Sequence, residues 1–134
     1  MAGKAGTAHG PISIADGGAG AHIENLSPDQ VAAELQSGTA TLIDLREANE
    51  RAKGRIAAAY HVPRGMLEFY ADPSSPYHRE EFDPDGRLIL VCASGGRSAL
   101  AAETLQQMGY RRVAHLDGGL NAWVAQGLPV ERDS

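Results

Sequence analysis

Arg87-Leu88-Ile89-Leu90-Val91-Cys92-Ala93-Ser94-Gly95-Gly96-Arg97-Ser98 is the stretch on which the fold turns. Leu88 to Val91 are apolar without interruption, which is too continuous for a strand with one wet face. They read as a central strand buried on both sides, the mark of a parallel sheet. Two glycines then end the strand. From Ser98 to Met108, Ala101, Leu105 and Met108 recur at helical spacing, and Gly109 stops the helix. Parallel strands need such a helical crossover between them.

Upstream, His22 to Leu26 reads as a short strand. Ser27-Pro28-Asp29-Gln30 is a helix start with a capping box, Val31 and Leu35 share a face, and Gly38 closes the helix. Residues 41–46 read as a strand ending in charge. A short polar helix over 47–53 follows, then an extended piece over 56–62. Residues 63–86 hold four prolines and form a long connection, with one helical turn at Met66 to Tyr70. A connection of that length is expected to line a site. Downstream, residues 113–116 read as a strand, Asp117-Gly118-Gly119 as a turn and 120–126 as the last helix. Strands alternating with helices predict an α/β domain, a central mainly parallel β-sheet with helices on both faces.

The chain has 134 residues, enough for one domain. Residues 1–21 read as a flexible Gly/Ala-rich tail and 22–134 as the folded domain. The tail lacks the apolar run of a signal peptide and the arginines of a transit peptide. Its Gly18-Ala19-Gly20 lacks the third glycine of a dinucleotide fingerprint. A net charge of −5 argues against nucleic acid and against a polybasic membrane anchor. No apolar run approaches membrane-spanning length. The single cysteine cannot form an internal disulfide or a Cys-rich zinc site. It predicts a reducing, cytoplasmic setting. No histidines stand at metal-ligand spacing, so neither metal nor cofactor is expected. Oligomeric state has no sequence signal.

Cys92 falls at the carboxyl end of the buried strand, where open parallel sheets bind ligands. Gly95 and Gly96 let backbone amides turn inward, and a helix begins beside them. Ala93, Ser94, Gly95, Gly96, Arg97 and Ser98 thus form a candidate anion nest that favours a Cys92 thiolate, with the Arg97 guanidinium folded back over it. The plain alternative, a small hydrophobe at a strand end, does not account for the loop. Asp44 and Arg46 end a strand near the same edge, as a buttress or as an ordinary ion pair. Arg64 follows Pro63 and reads equally as a contact for an anionic donor or as a solvated arginine. His61 and His115 lie in apolar stretches and read as structural. His78 reads as surface and Trp123 as core.

The loop Val91-Cys92-Ala93-Ser94-Gly95-Gly96-Arg97-Ser98 resembles the active-site loop of single-domain rhodaneses. Three further stretches fit the same pattern in the same order. They are Leu42-Ile43-Asp44-Leu45-Arg46-Glu47, then Gly54-Arg55-Ile56-Ala57-Ala58-Ala59 with Val62-Pro63, then Leu116-Asp117-Gly118-Gly119-Leu120-Asn121-Ala122-Trp123 with Gly127-Leu128-Pro129-Val130. The resemblance spans residues 22–131. It departs at Arg55, where the family usually has His, and at Ala57 to Ala59. It implies a rhodanese-like fold and a sulfurtransferase. Cys92 would take sulfane sulfur from thiosulfate or a persulfide, carry it as a persulfide, and pass it to cyanide or a thiol, including a protein thiol.

Two rivals share this loop. A rhodanese-fold phosphatase or arsenate reductase would cradle a tetrahedral oxyanion, but such loops are one residue longer than the four residues between Cys92 and Arg97. No aspartate reads as its general acid. A non-catalytic sulfur-carrier or interaction module would need only the thiol or the surface.

Overall fold

The computed structural model describes residues 23–132. The tail reading, including Gly18-Ala19-Gly20, and the proposed boundary at residue 22 lie outside the described residues. The strand β1 (Glu24–Leu26) leads into α1 (Pro28–Ser37), β2 (Ala40–Asp44), α2 (Ala48–Ala52) and β3 (Tyr60–His61). A 3-10 turn (Arg64–Met66), α3 (Leu67–Ala71), β4 (Arg87–Val91), α4 (Gly96–Gln107), β5 (Arg112–Leu116) and α5 (Gly119–Ala125) complete the chain. The five strands form one sheet in the order β1-β5-β4-β2-β3, and every pairing is parallel.

The alternation of side chains along β4 explains its unbroken apolar run. Leu88 and Leu90 face a core built with Leu67, Phe82, Ala101, Leu105 and Tyr110, under α3 and α4. Ile89 and Val91 face the opposite core, with Val31, Leu42 and Trp123 under α1 and α5. Both faces are therefore dry, as the sequence predicts. After β2 the chain moves outward to β3, whereas after β4 it moves the other way to β5. The crevice between the ends of β2 and β4 is thus the switch point of the sheet, and Cys92 emerges there.

Local signals account for most boundaries. The capping box at α1 is formed: Ser27 Oγ accepts the Gln30 N–H at 3.2 Å and Gln30 Oε1 accepts the Ser27 N–H at 2.8 Å. At the amino end of β4, Arg87 donates Nε and Nη2 to the two oxygens of Glu34 at 2.9 and 2.8 Å, and Nη1 to Glu24 at 2.7 Å. It ties β4 to α1 and β1.

Three expected boundaries are corrected. β2 ends at Asp44, not residue 46, because Arg46 turns back to bond the Asp44 carboxylate. The piece over 56–62 is a strand only at Tyr60–His61; Ile56 to Ala59 is a turn, closed by the Ala59 N–H to the Ile56 carbonyl at 3.0 Å. The helix expected from Ser98 starts at Gly96, so Arg97 and Ser98 belong to its first turn. In the connection over 63–86, Leu67, Ala71 and Phe82 pack into the core. The Tyr110 hydroxyl fastens it by donating to the carbonyls of Ala71 at 2.6 Å and Phe82 at 3.2 Å. No helix among the described residues is long and apolar enough to cross a membrane.

Candidate active site

Cys92 is the first residue beyond β4 and is 1% exposed. Its Sγ accepts the Gly95 N–H at 3.1 Å and the Ser98 N–H at 3.3 Å, and lies 3.5 Å from Ser98 Oγ. Gly95 sits at φ 108°, in the left-handed region, which turns the chain so that these amides point at sulfur. The carbonyls of the same loop point outward into the start of α5. Leu120 N–H donates to the Cys92 carbonyl at 2.8 Å and Asn121 N–H to the Ala93 carbonyl at 3.0 Å. The approach is so close that a Cβ on Gly119 would lie 2.5 Å from both carbonyl oxygens. The start of α5 therefore clamps the loop from behind, while the Gly95 and Ser98 amides face the sulfur in front.

Burial pushes the Cys92 thiol up, but the Ser98 hydroxyl and the amides of Ser98, Gly95 and Ser94 outweigh it and hold the thiol below its ordinary value. These donors, at the amino terminus of α4, favour a thiolate.

Arg97 does not fold back over the loop as expected. Its Nη1 and Nη2 donate to Glu50 Oε1 and Oε2, each at 2.9 Å. Glu50 stands on α2, across the switch-point crevice, and offers a planar carboxylate that matches the guanidinium fork. The bonds from Arg97 oppose a smaller cost of burial, and Glu50 is held at about 2. Arg97 acts on the sulfur only through space, while neutral donors of the loop make the contacts.

Asp44 and Arg46 are a buried ion pair, with Arg46 Nε 3.1 Å from Oδ1 and Nη2 2.9 Å from Oδ2. Arg46 also donates to the carbonyls of Glu50 at 3.3 Å and Gly54 at 2.8 Å, and Arg51 Nε reaches Asp44 at 3.2 Å. The pair therefore anchors α2, the helix that carries Glu50. Arg64 donates to Glu68 at 2.8 Å and is placed as an ordinary i,i+4 ion pair. His61 bonds the Arg46 carbonyl at 2.7 Å. Trp123 is buried and donates Nε1–H to the Pro129 carbonyl at 2.8 Å.

Sequence reasoning missed Glu50 and the partners of His115, which it read as structural and which is buried here. His115 Nδ1 lies 2.8 Å from Ser98 Oγ, and its Nε2 lies 3.0 Å from Asn25 Oδ1. Burial holds the imidazole down to about 4, with Asp117 pulling weakly the other way, so it is neutral near pH 7. A signal was present. Val113 and His115 alternate with Ala114 and Leu116, which puts His115 on the sheet face that α4 covers, at the carboxyl end of its strand. Among the described residues no group of three or more His, Cys, Asp and Glu side chains is placed to hold a metal ion.

A buried cysteine at the switch point of a parallel α/β sheet, its thiol made more acidic by a ring of amides, is the arrangement that suits nucleophilic sulfur chemistry. The chain belongs to the rhodanese-like domain family, whose pattern matches residues 27–126. It is 36% identical over 89 residues to a sulfurtransferase of Allochromatium vinosum, covering 66% of this chain and 76% of that protein. It is 28% identical over 106 residues to the thiosulfate sulfurtransferase GlpE of Glaesserella parasuis, covering 79% and 91%. A solved structure from Rhodopseudomonas palustris, a protein of unknown function described as a possible tyrosine phosphatase, superposes with TM-score 0.76 at 42% identity. That match covers 81% of this chain and 85% of the other.

Proposed function

We propose that the protein is a sulfurtransferase that carries sulfane sulfur on Cys92. The observation that carries this reading is the cradle at Sγ, where the Gly95 and Ser98 amides donate at 3.1 and 3.3 Å. Such donors stabilise a thiolate before transfer and suit the persulfide anion after it. The thiolate attacks the outer sulfur of thiosulfate, the S–S bond breaks, and sulfite leaves with the bonding pair. A persulfide donor reacts likewise and leaves as a thiolate. Cyanide, or the thiolate of a small or protein thiol, then attacks the outer sulfur and returns Cys92 to the thiolate. Ala93, Ser94, Gly95, Gly96, Arg97 and Ser98 form the binding loop, with Asp44 and Arg46 in support. The chemistry suits a reducing, cytoplasmic setting and uses no cofactor.

The phosphatase reading fits less well. Its guanidinium would have to grip the phosphoryl oxygens, and here Arg97 is committed to Glu50. Intact-mass measurement after incubation with thiosulfate, and separately with a persulfide donor, tests the proposal. Wild type should gain one sulfur atom and lose it to cyanide with formation of thiocyanate, and Cys92→Ser should gain none. Hydrolysis of p-nitrophenyl phosphate should be slow. A wild-type protein that takes up sulfur from no sulfane donor, or that hydrolyses the phosphate ester readily, overturns it. Loading without turnover would overturn the enzyme reading in favour of a carrier.

A further inference from the structure

The Ser98 hydroxyl has one proton and three acceptors around it. His115 Nδ1 lies at 2.8 Å, the Gly95 carbonyl oxygen at 3.3 Å and Cys92 Sγ at 3.5 Å. The far side of the ring decides between them. His115 Nε2 is 3.0 Å from Asn25 Oδ1, and an amide oxygen can only accept. Nε2 therefore carries the ring proton and Nδ1 is a bare acceptor. The ring is 2% exposed, so no solvent competes for it. While Cys92 is a thiol, Nδ1 is the closest site for the Ser98 proton and Oγ turns a lone pair toward sulfur; the hydroxyl favours the thiolate only by turning its proton from Nδ1 to sulfur.

A thiol can donate its S–H to that lone pair. A thiolate or persulfide anion instead needs the O–H itself. We propose that His115 is a positioning residue for Cys92, competing with the sulfur for the single hydroxyl proton of Ser98. It thereby withholds part of the stabilisation that the loop could give the anion. A less stabilised thiolate is a better nucleophile, because nucleophilicity falls as thiol acidity rises. The groups around the ring are Ser98 from α4, Asn25 from β1, the Gly95 backbone from the loop and Asp117 beyond the end of β5. Asp117 is the charged group among them and favours a proton on the ring. The inference rests on Cys92 being the reacting sulfur, as proposed above, but not on its transferring sulfur.

The test is the rate of Cys92 alkylation by iodoacetamide against pH in wild type, His115→Leu, His115→Asn, Ser98→Ala and the Ser98→Ala/His115→Leu double variant. His115→Leu should lower the midpoint by about one pH unit, the worth of one hydroxyl bond to an anion. His115→Asn presents an amide oxygen near the position of Nδ1 and should restore the wild-type midpoint. The double variant should match Ser98→Ala alone, since His115 acts only through the hydroxyl. A His115→Leu protein that folds with an unmoved or raised midpoint overturns the proposal, as does an equal shift in the Ser98→Ala background. Nitrogen NMR of the wild-type histidines needs no variant to fold: it should show His115 neutral and protonated at Nε2, and a proton on Nδ1 refutes the idea. None of these measurements uses a sulfur donor, so their failure is distinct from failure of the sulfurtransferase reading.

Discussion

Replacing Glu50 with Gln should turn Arg97 from a paired cation into an available one, and so change which donors the site prefers. In the native protein two bonds of 2.9 Å join the pair. The Arg97 and Glu50 side chains are 40% and 31% exposed, so solvent screens them and the pair is worth at most about 1 kcal/mol. Gln keeps an oxygen for the Glu47 N–H, which Glu50 Oε1 accepts at 2.8 Å, so the cap of α2 is retained. A dianionic donor then meets a net positive rim where the native rim is neutral. An attraction of about 1 kcal/mol raises kcat/KM for thiosulfate about fivefold at low ionic strength. The gain should fade as salt rises toward a Debye length of ~3 Å at 1 M. Thiocyanate formation at subsaturating thiosulfate, with an uncharged organic polysulfide as the control donor, measures it. No gain at low salt, or the same gain with the uncharged donor, refutes the account of Arg97 as a neutralised cation.

Gly119→Ala should be far more damaging than its size suggests, because its Cβ would meet the Cys92 and Ala93 carbonyls at 2.5 Å at a residue with φ 63°. A loss of about 2–4 kcal/mol in a denaturant titration is expected, with the Cys92 alkylation midpoint rising as the loop amides shift. Stability should also fall as pH drops from about 6.5 toward 4, through His115. Its folded value of about 4 lies below the unfolded value, so the unfolded chain binds more protons in that window. The stabilisation is complete above 6.5 and about 3 kcal/mol is lost by pH 4. His115→Asn should flatten that part of the profile, and an unchanged slope counts against a buried neutral imidazole.

The fold was legible in the sequence because its signals are local. Leu88 to Val91 announce a two-faced strand, Ser27 to Gln30 a helix start, and Gly95-Gly96 the break that creates the loop. The strand order was not legible, since pairing depends on contacts between segments far apart in the chain. The same limit separates the parts of the site. Cys92, Gly95 and Ser98 lie within one loop and helix turn, and their nearness follows from chain connectivity. Glu50 meets Arg97 across 47 residues and Asn25 meets His115 across 90, so no spacing rule reaches either. The expectation that Arg97 would fold onto the sulfur failed for this reason: its stronger partner belongs to another helix. The alternation of Val113 and His115 with Ala114 and Leu116 told which face His115 occupies, and its burial agrees with reading it as structural, but its bond to Ser98 spans 17 residues and was not legible.

Arg87 lies at the opposite end of β4 from Cys92, and defects at the two ends should look different in a cell. The Arg87 side chain is 10% exposed and bridges Glu24 and Glu34, so its loss leaves two carboxylates without their shared cation where three segments join. A variant there should leave each folded molecule fully competent and reduce how many folded molecules exist, because proteases remove the unfolded fraction. Substitution at Cys92 should do the reverse, leaving abundance intact and every molecule inert. Steady-state protein level and activity per folded molecule, measured side by side, would sort variants along this single strand into turnover defects and chemical ones.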